Sequence, residues 1–247
     1  MTHNIPRFTR RPVAAVAAGV LAALSVTVVS AQPASASSHR PCTIVKHSNT
    51  NGVTKVGTAT ATVGTDGIKL ATAAGKNEDK VSWRENIRPV LASTVEEVSY
   101  ETVKLDQAGA GVNDAALPAY HLFVKTPAGE GTLIFEPYYY LMDLGAGNPQ
   151  RQIRTEWNVL QGKLWTSSTT INGLPKSAGG PATKTFAQIV ADNPRMTVTG
   201  VGFGLGTYNP GTTAILDEQR FATKQSCSEH QWSTGFRTGL WWPGWLR

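Results

Sequence analysis

Four carboxylates lie where they could do acid–base chemistry. Glu97 and Glu101 sit in the stretch 95–105 (VEEVSYETVKL), Glu136 follows Leu133-Ile134-Phe135, and Glu156 lies in the segment 153–160. A retaining glycoside hydrolase needs two carboxyl groups about 5–5.5 Å apart, one a nucleophile and one an acid with a raised pKa. Glu97 and Glu101 can share one strand face, and Glu136 or Glu156 would have to join them from other strands. Glu136 is the best candidate acid, because partial burial near Tyr138 would raise its pKa. Pro137 directly after it points to a strand end or sheet edge rather than a groove centre. No compact Glu-x-Asp-x-x-Glu spacing and no Gly-x-Ser-x-Gly elbow is present. A solvated strand face explains these acids at least as well. No catalytic residue is therefore assigned, and an enzyme is the lesser expectation.

Metal chemistry has little support in the spacing. His39, His47, His121 and His230 are far apart, and Asp66 and Asp114 are isolated loop acids. Neither a zinc nor a calcium site follows, so no metal and no cofactor are expected. The aromatic residues carry more. If Tyr138-Tyr139-Tyr140 lies on one strand, Tyr138 and Tyr140 share a face. Trp157 and Trp165 fall on neighbouring strand segments. Flat rings with polar handles suit sugar faces, so Tyr138, Tyr140, Trp157 and Trp165 are the candidate ligand-binding residues. The competing expectation is that they fill the core.

The chain that must position these groups opens on an export leader. Arg7, Arg10 and Arg11 precede an apolar run, Val13–Val29, and Ala34-Ser35-Ala36 is a small-x-small cleavage site. The run is shorter than the roughly 20 apolar residues of a spanning helix. Pro12 after the arginine pair favours the general secretory route over the twin-arginine route. The expected division is 1–36 signal peptide, 37–231 one β-domain, and 232–247 a Trp-rich tail expected to be disordered. The expectation is a secreted, monomeric protein with no later membrane span, with association to the cell wall as a further option. Losing the leader leaves 20 Lys+Arg against 17 Asp+Glu, a net +3 with no basic run. Nucleic acid is therefore not an expected partner. In an exported chain the two cysteines, Cys42 and Cys227, are expected to form one disulfide that brings the first and last strands side by side.

From Cys42 onward the texture is β. The expected strands are 53–63, 68–72, 81–83, 95–105, 119–125, 132–140, 153–160, 163–167, 196–205 and a closing strand at 213–223. Gly64-Thr65-Asp66-Gly67 and Pro127–Gly131 read as turns. One short helix is expected at Phe186–Ala191, capped by Thr183–Thr185 and ended by Asn193-Pro194. The fold class is all-β, an antiparallel jelly-roll sandwich with one short helix.

Three stretches in order carry a resemblance. They are Tyr120-His121-Leu122 with Phe135-Glu136-Pro137-Tyr138-Tyr139, then Glu156-Trp157-Asn158-Val159 with Lys163-Leu164-Trp165-Thr166-Ser167, then Phe186–Val190 with Gly202-Phe203-Gly204-Leu205-Gly206. Together they resemble secreted actinobacterial jelly-roll domains with a concanavalin- or laminin-G-like sandwich, over roughly Trp83 to Phe221. The resemblance implies the fold more than a function. Leu164 and Ile153 stand where relatives carry tryptophan, so part of any aromatic ligand surface would be lost here. Arg154-Thr155-Glu156 also resembles a motif of jelly-roll alginate lyases, with Tyr120, His121 and Gln152 as possible partners, but the other lyase motifs are absent. The expectation is a secreted, non-catalytic module that binds polysaccharide or cell-wall glycan. A polysaccharide-degrading hydrolase or lyase of the same architecture is the alternative, and a structural envelope protein the third.

Overall fold

The computed structural model describes residues 41–105 and 109–235. The expected leader, and the part of the expected tail from residue 236, lie outside the described residues. The elements run β1 (Thr43–His47), β2 (Thr54–Val56), β3 (Thr60–Val63), β4 (Ile68–Ala71), β5 (Lys80–Leu91), β6 (Val95–Lys104), β7 (Ala119–Thr126), β8 (Gly129–Phe135), α1 (Pro137–Asp143), β9 (Arg154–Asn158), β10 (Lys163–Thr166), β11 (Lys184–Thr185), α2 (Phe186–Asp192), β12 (Thr197–Gly206), β13 (Thr213–Thr223) and β14 (Cys227–Trp232).

They form an all-β sandwich of two seven-stranded sheets. One sheet is ordered β11-β10-β8-β7-β12-β5-β2. In the other, long β13 pairs β6 on one side, and on its other side pairs β4 and β14 in succession. β9 extends that sheet beyond β6, β3 beyond β4, and β1 beyond β14. The pairs are antiparallel except β1·β14, which is parallel. Alternation decides what is buried between the sheets. Tyr120, Leu122 and Val124 of β7, Leu133 and Phe135 of β8, and Val198, Val201, Phe203 and Leu205 of β12 face Ile68, Leu70, Val98, Tyr100, Leu216 and Phe221. The Tyr100 hydroxyl is satisfied by donating to the Pro118 carbonyl at 2.8 Å.

Cys42 and Cys227 form a disulfide, with Cα atoms 4.5 Å apart. The bridge sits where β1 and β14 begin, so the first and last strands do lie side by side. Helix α2 starts at a capping box in which Thr185 and Gln188 satisfy each other's backbone N–H groups. The β7–β8 hairpin turns at Pro127-Ala128, tighter than the expected five-residue loop.

Three expectations need correction. The single strand expected at 53–63 is broken at Gly57, whose φ is +68°, into β2, which pairs with β5, and β3, which pairs with β4 in the other sheet. Tyr138-Tyr139-Tyr140 is not strand. It belongs to α1, a second helix, in which Pro137 occupies the first turn after an extended Glu136. Proline fits there because its φ is already helical and its missing N–H would have no intrahelical partner. β13 is also not the closing strand, because β14 follows it. Trp232, expected to open the tail, ends β14 and is fully buried.

Candidate functional site

The outer face of the β8–β7–β12–β5 sheet is a groove. Residues opposite in parity to the core point into it: His121 and Phe123 from β7, Thr132 and Ile134 from β8, Lys80, Ser82 and Arg84 from β5, and Trp165 from β10. The same face of β12 carries Gly200, Gly202 and Gly204. The missing side chains there let the rings of β7 lie across β12. A Cβ on Gly204 would come within 2.6 Å of His121 Cε1. Phe123 is capped by the Arg84 guanidinium, 4.2 Å from the ring centroid, a favourable cation–π arrangement. Arg84 is oriented by donating from Nε to Asn86 Oδ1 at 2.9 Å.

Three depressions run along this face. One of about 340 Å³ is bordered by Trp165, His121, Ile134, Glu136 and Tyr208. The next, about 380 Å³, shares Lys80, His121, Ile134 and Ser167 with it. The third, about 180 Å³, continues past Arg84, Phe123 and Thr132 to Glu130 and Thr199. Shared walls make them one trough, about 20 Å long as measured by six residues of β8.

Glu136 closes one end. Trp165 Nε1 donates to its Oε1 at 3.2 Å. Burial pushes the carboxyl up to about 7, against the opposing effect of the Trp165 hydrogen bond. On its other side lies a cleft of about 410 Å³ lined by Asn113, Asp114, Tyr138, Asn148 and Asn209. Asp114 is paired there with Arg151 at 2.5 Å. Burial, with Lys80 nearby, lowers His121 to about 4, so its ring is neutral at physiological pH. A neutral imidazole offers one donor and one acceptor, which suits hydroxyl groups.

The four aromatic candidates do not share one surface. Trp165 is half-buried and borders the trough. Tyr138 is exposed on α1 and borders the cleft beyond Glu136. Trp157 is only 4% exposed, and its Nε1 donates to Thr102 Oγ1 at 2.7 Å inside the core. Tyr140 packs edge-on against Trp157 at 6.3 Å and beside Phe135 at 5.9 Å. The carboxylates also separate. Glu97, Glu101 and Glu156 lie on β6 and β9, in the other sheet. Arg220 binds Glu97 at 3.2 Å, and Arg154 binds Glu101 at 2.8 Å and buried Asp217 at 3.0 Å. Packed sheets are about 10 Å apart, so acids on that outer face cannot join Glu136. The lyase-like set is likewise divided. Arg154 is in the ion-paired network, Tyr120 is in the core, and His121 faces the trough on the other sheet.

Phe123 and Arg84 escaped the sequence reading as site residues, and His121 entered it only as a member of the lyase-like set. The signal that could have exposed them is the glycine alternation of β12, which marks the face where neighbouring rings must lie.

The chain matches no family model and no curated protein. Among solved structures it is similar to the family 11 carbohydrate-binding module from Clostridium thermocellum in complex with a β-1,3-1,4-mixed-linked tetrasaccharide. The identity is 9% and the TM-score 0.36, over 70% of this chain and 88% of that one.

Proposed function

We propose that this protein is a secreted, non-catalytic module that binds an extended polysaccharide or cell-wall glycan along the trough. The observation that carries the reading is the trough itself: continuous, open, floored by Phe123, Ile134, His121 and Trp165, and edged by Lys80, Arg84, Ser167 and Glu136. Apolar ring faces would stack on pyranose faces, while the polar edge would bind hydroxyls. Binding to a panel of soluble plant, fungal and bacterial-wall polysaccharides, measured by affinity electrophoresis, tests it. Retardation by at least one glycan is expected. Phe123→Ala and Trp165→Ala should each weaken it at least tenfold without unfolding the domain. Absence of any retardation would leave the structural envelope reading.

A second reading is favoured by one observation, the raised Glu136 carboxyl between trough and cleft. A carboxyl protonated near neutral pH could serve as the general acid of a glycoside hydrolase. Its partner would have to be Asp114, which borders the same cleft. Release of reducing ends from a bound glycan, abolished in Glu136→Gln with binding retained, would establish that reading. Binding without turnover would exclude it for that glycan.

A further inference from the structure

A second, independent site lies between the two sheets at the edge built by β1 and β14. β1 ends in His47, β14 carries His230, and both rings point inward toward Glu85 of β5 in the opposite sheet. His47 Nε2 and His230 Nδ1 are 3.1 Å apart, and His230 Nδ1 is 3.6 Å from Glu85 Oε2. One ligand atom from each residue lies within 4.8 Å of the other two. We propose that His47, His230 and Glu85 bind one divalent transition ion of the zinc class, clamping the two sheets together.

Distance and chemistry both support the assignment. Ligand atoms held about 2.0–2.2 Å from a tetrahedral zinc ion stand about 3.3–3.5 Å from one another. The separations of 3.1 Å and 3.6 Å bracket that spacing. Two imidazoles and one carboxylate are a zinc donor set that leaves one position for water. The surroundings preorganise it. His47 stacks on Trp232 at 4.1 Å, Trp83 stands edge-on to His47 and His230, and His230 is 1% exposed. These walls fix the rings and exclude water. The Glu85 side chain stays 38% exposed and provides the path by which an ion and a fourth, water ligand enter. Among the described residues no Lys or Arg forms an ion pair with Glu85, so its charge is available to the cation. The disulfide assembles the site: by fixing β1 beside β14 it places His47 next to His230, though 183 residues separate them in sequence.

The test uses the exported full chain, disulfide intact, stripped with chelator and then titrated with zinc chloride in a calorimeter. Binding of one ion per chain is expected, with a rise in Tm of about 5–10 °C at a hundredfold excess over Kd. Cobalt in place of zinc should give the visible absorption of a four- or five-coordinate ion with nitrogen and oxygen ligands. Glu85→Gln, at a partly exposed position, and His47→Gln should fold normally by near-UV circular dichroism. Each should weaken zinc binding at least tenfold and lose the cobalt signal. If the folded wild-type chain takes up no zinc, or if both variants bind as well as wild type, the cluster is a histidine–histidine hydrogen bond beside a carboxylate and the proposal fails.

Discussion

The outer faces of the two sheets use their polar groups in opposite ways. On the β9–β6–β13 face, charges are spent on one another: Arg154 bridges Glu101 and Asp217, and Arg220 binds Glu97. On the β10–β8–β7–β12–β5 face, rings lie over glycines, and the polar groups stand along the edges of an open trough. A face whose charges are mutually satisfied offers little to a ligand. A face with exposed ring area and unsaturated edges does. The pair Trp157 and Trp165 makes the difference concrete. The first points inward from β9 and holds the fold, and the second points outward from β10 into the trough.

Trp157→Ala is the largest expected effect. Removing a buried tryptophan costs about 3–5 kcal/mol, which lowers Tm by about 6–20 °C in a domain of this size. Trp165→Ala should leave Tm within a few degrees while abolishing glycan retention. The reverse pattern in thermal melts would break the distinction between the faces. Next comes the covalent tie: reducing the disulfide should cost about 2–5 kcal/mol, read from urea midpoints with and without reductant.

Glu136 sharpens the comparison through pH. Its folded pKa lies above the ordinary carboxylate value. The folded state therefore holds the proton more tightly than the unfolded chain, and this contribution is complete below pH 4.5. It is lost as pH rises from there to about 7, and is flat beyond. The loss is about 3 kcal/mol at most. Glu136→Gln should abolish that dependence and be more stable than wild type at pH 8. Equal pH profiles for the two proteins would remove the burial argument. The smallest effect belongs to the paired face. Glu97→Gln should change stability by less than about 1 kcal/mol, diminishing in high salt, and should leave glycan retention unchanged.

Local chemistry made much of the fold legible. The capping residues before Phe186 and the Gly64–Gly67 turn each specify their element within a few residues, whereas the β-branched run 53–63 hides the break at Gly57 that sends β2 and β3 to different sheets. The tyrosine run was misread because three aromatic residues carry no period, and the decisive cue was Pro137 at a helix start. The trough was harder. In Ala119–Lys125 either parity could face the core, and only the glycines of the neighbouring strand resolve which rings stay outside. Trp157 and Trp165 look alike in sequence, because the direction of a strand's face is set by its partners across the sandwich. His47, Glu85 and His230 leave no local signature, since their proximity exists only once β1 is fastened to β14.

The parallel pairing of β1 with β14 has a mechanical consequence. With the disulfide reduced, a pull on the chain before Cys42 and after Trp232 would load these two strands in shear, with every interstrand hydrogen bond stressed at once. The intact disulfide instead routes the tension from Cys42 directly into Cys227 and along six residues of β14. The chain between the cysteines, 185 positions apart in sequence, carries none of it. The sandwich is thus an inextensible link, able to transmit force between whatever its two flanking segments are attached to while the trough keeps its shape.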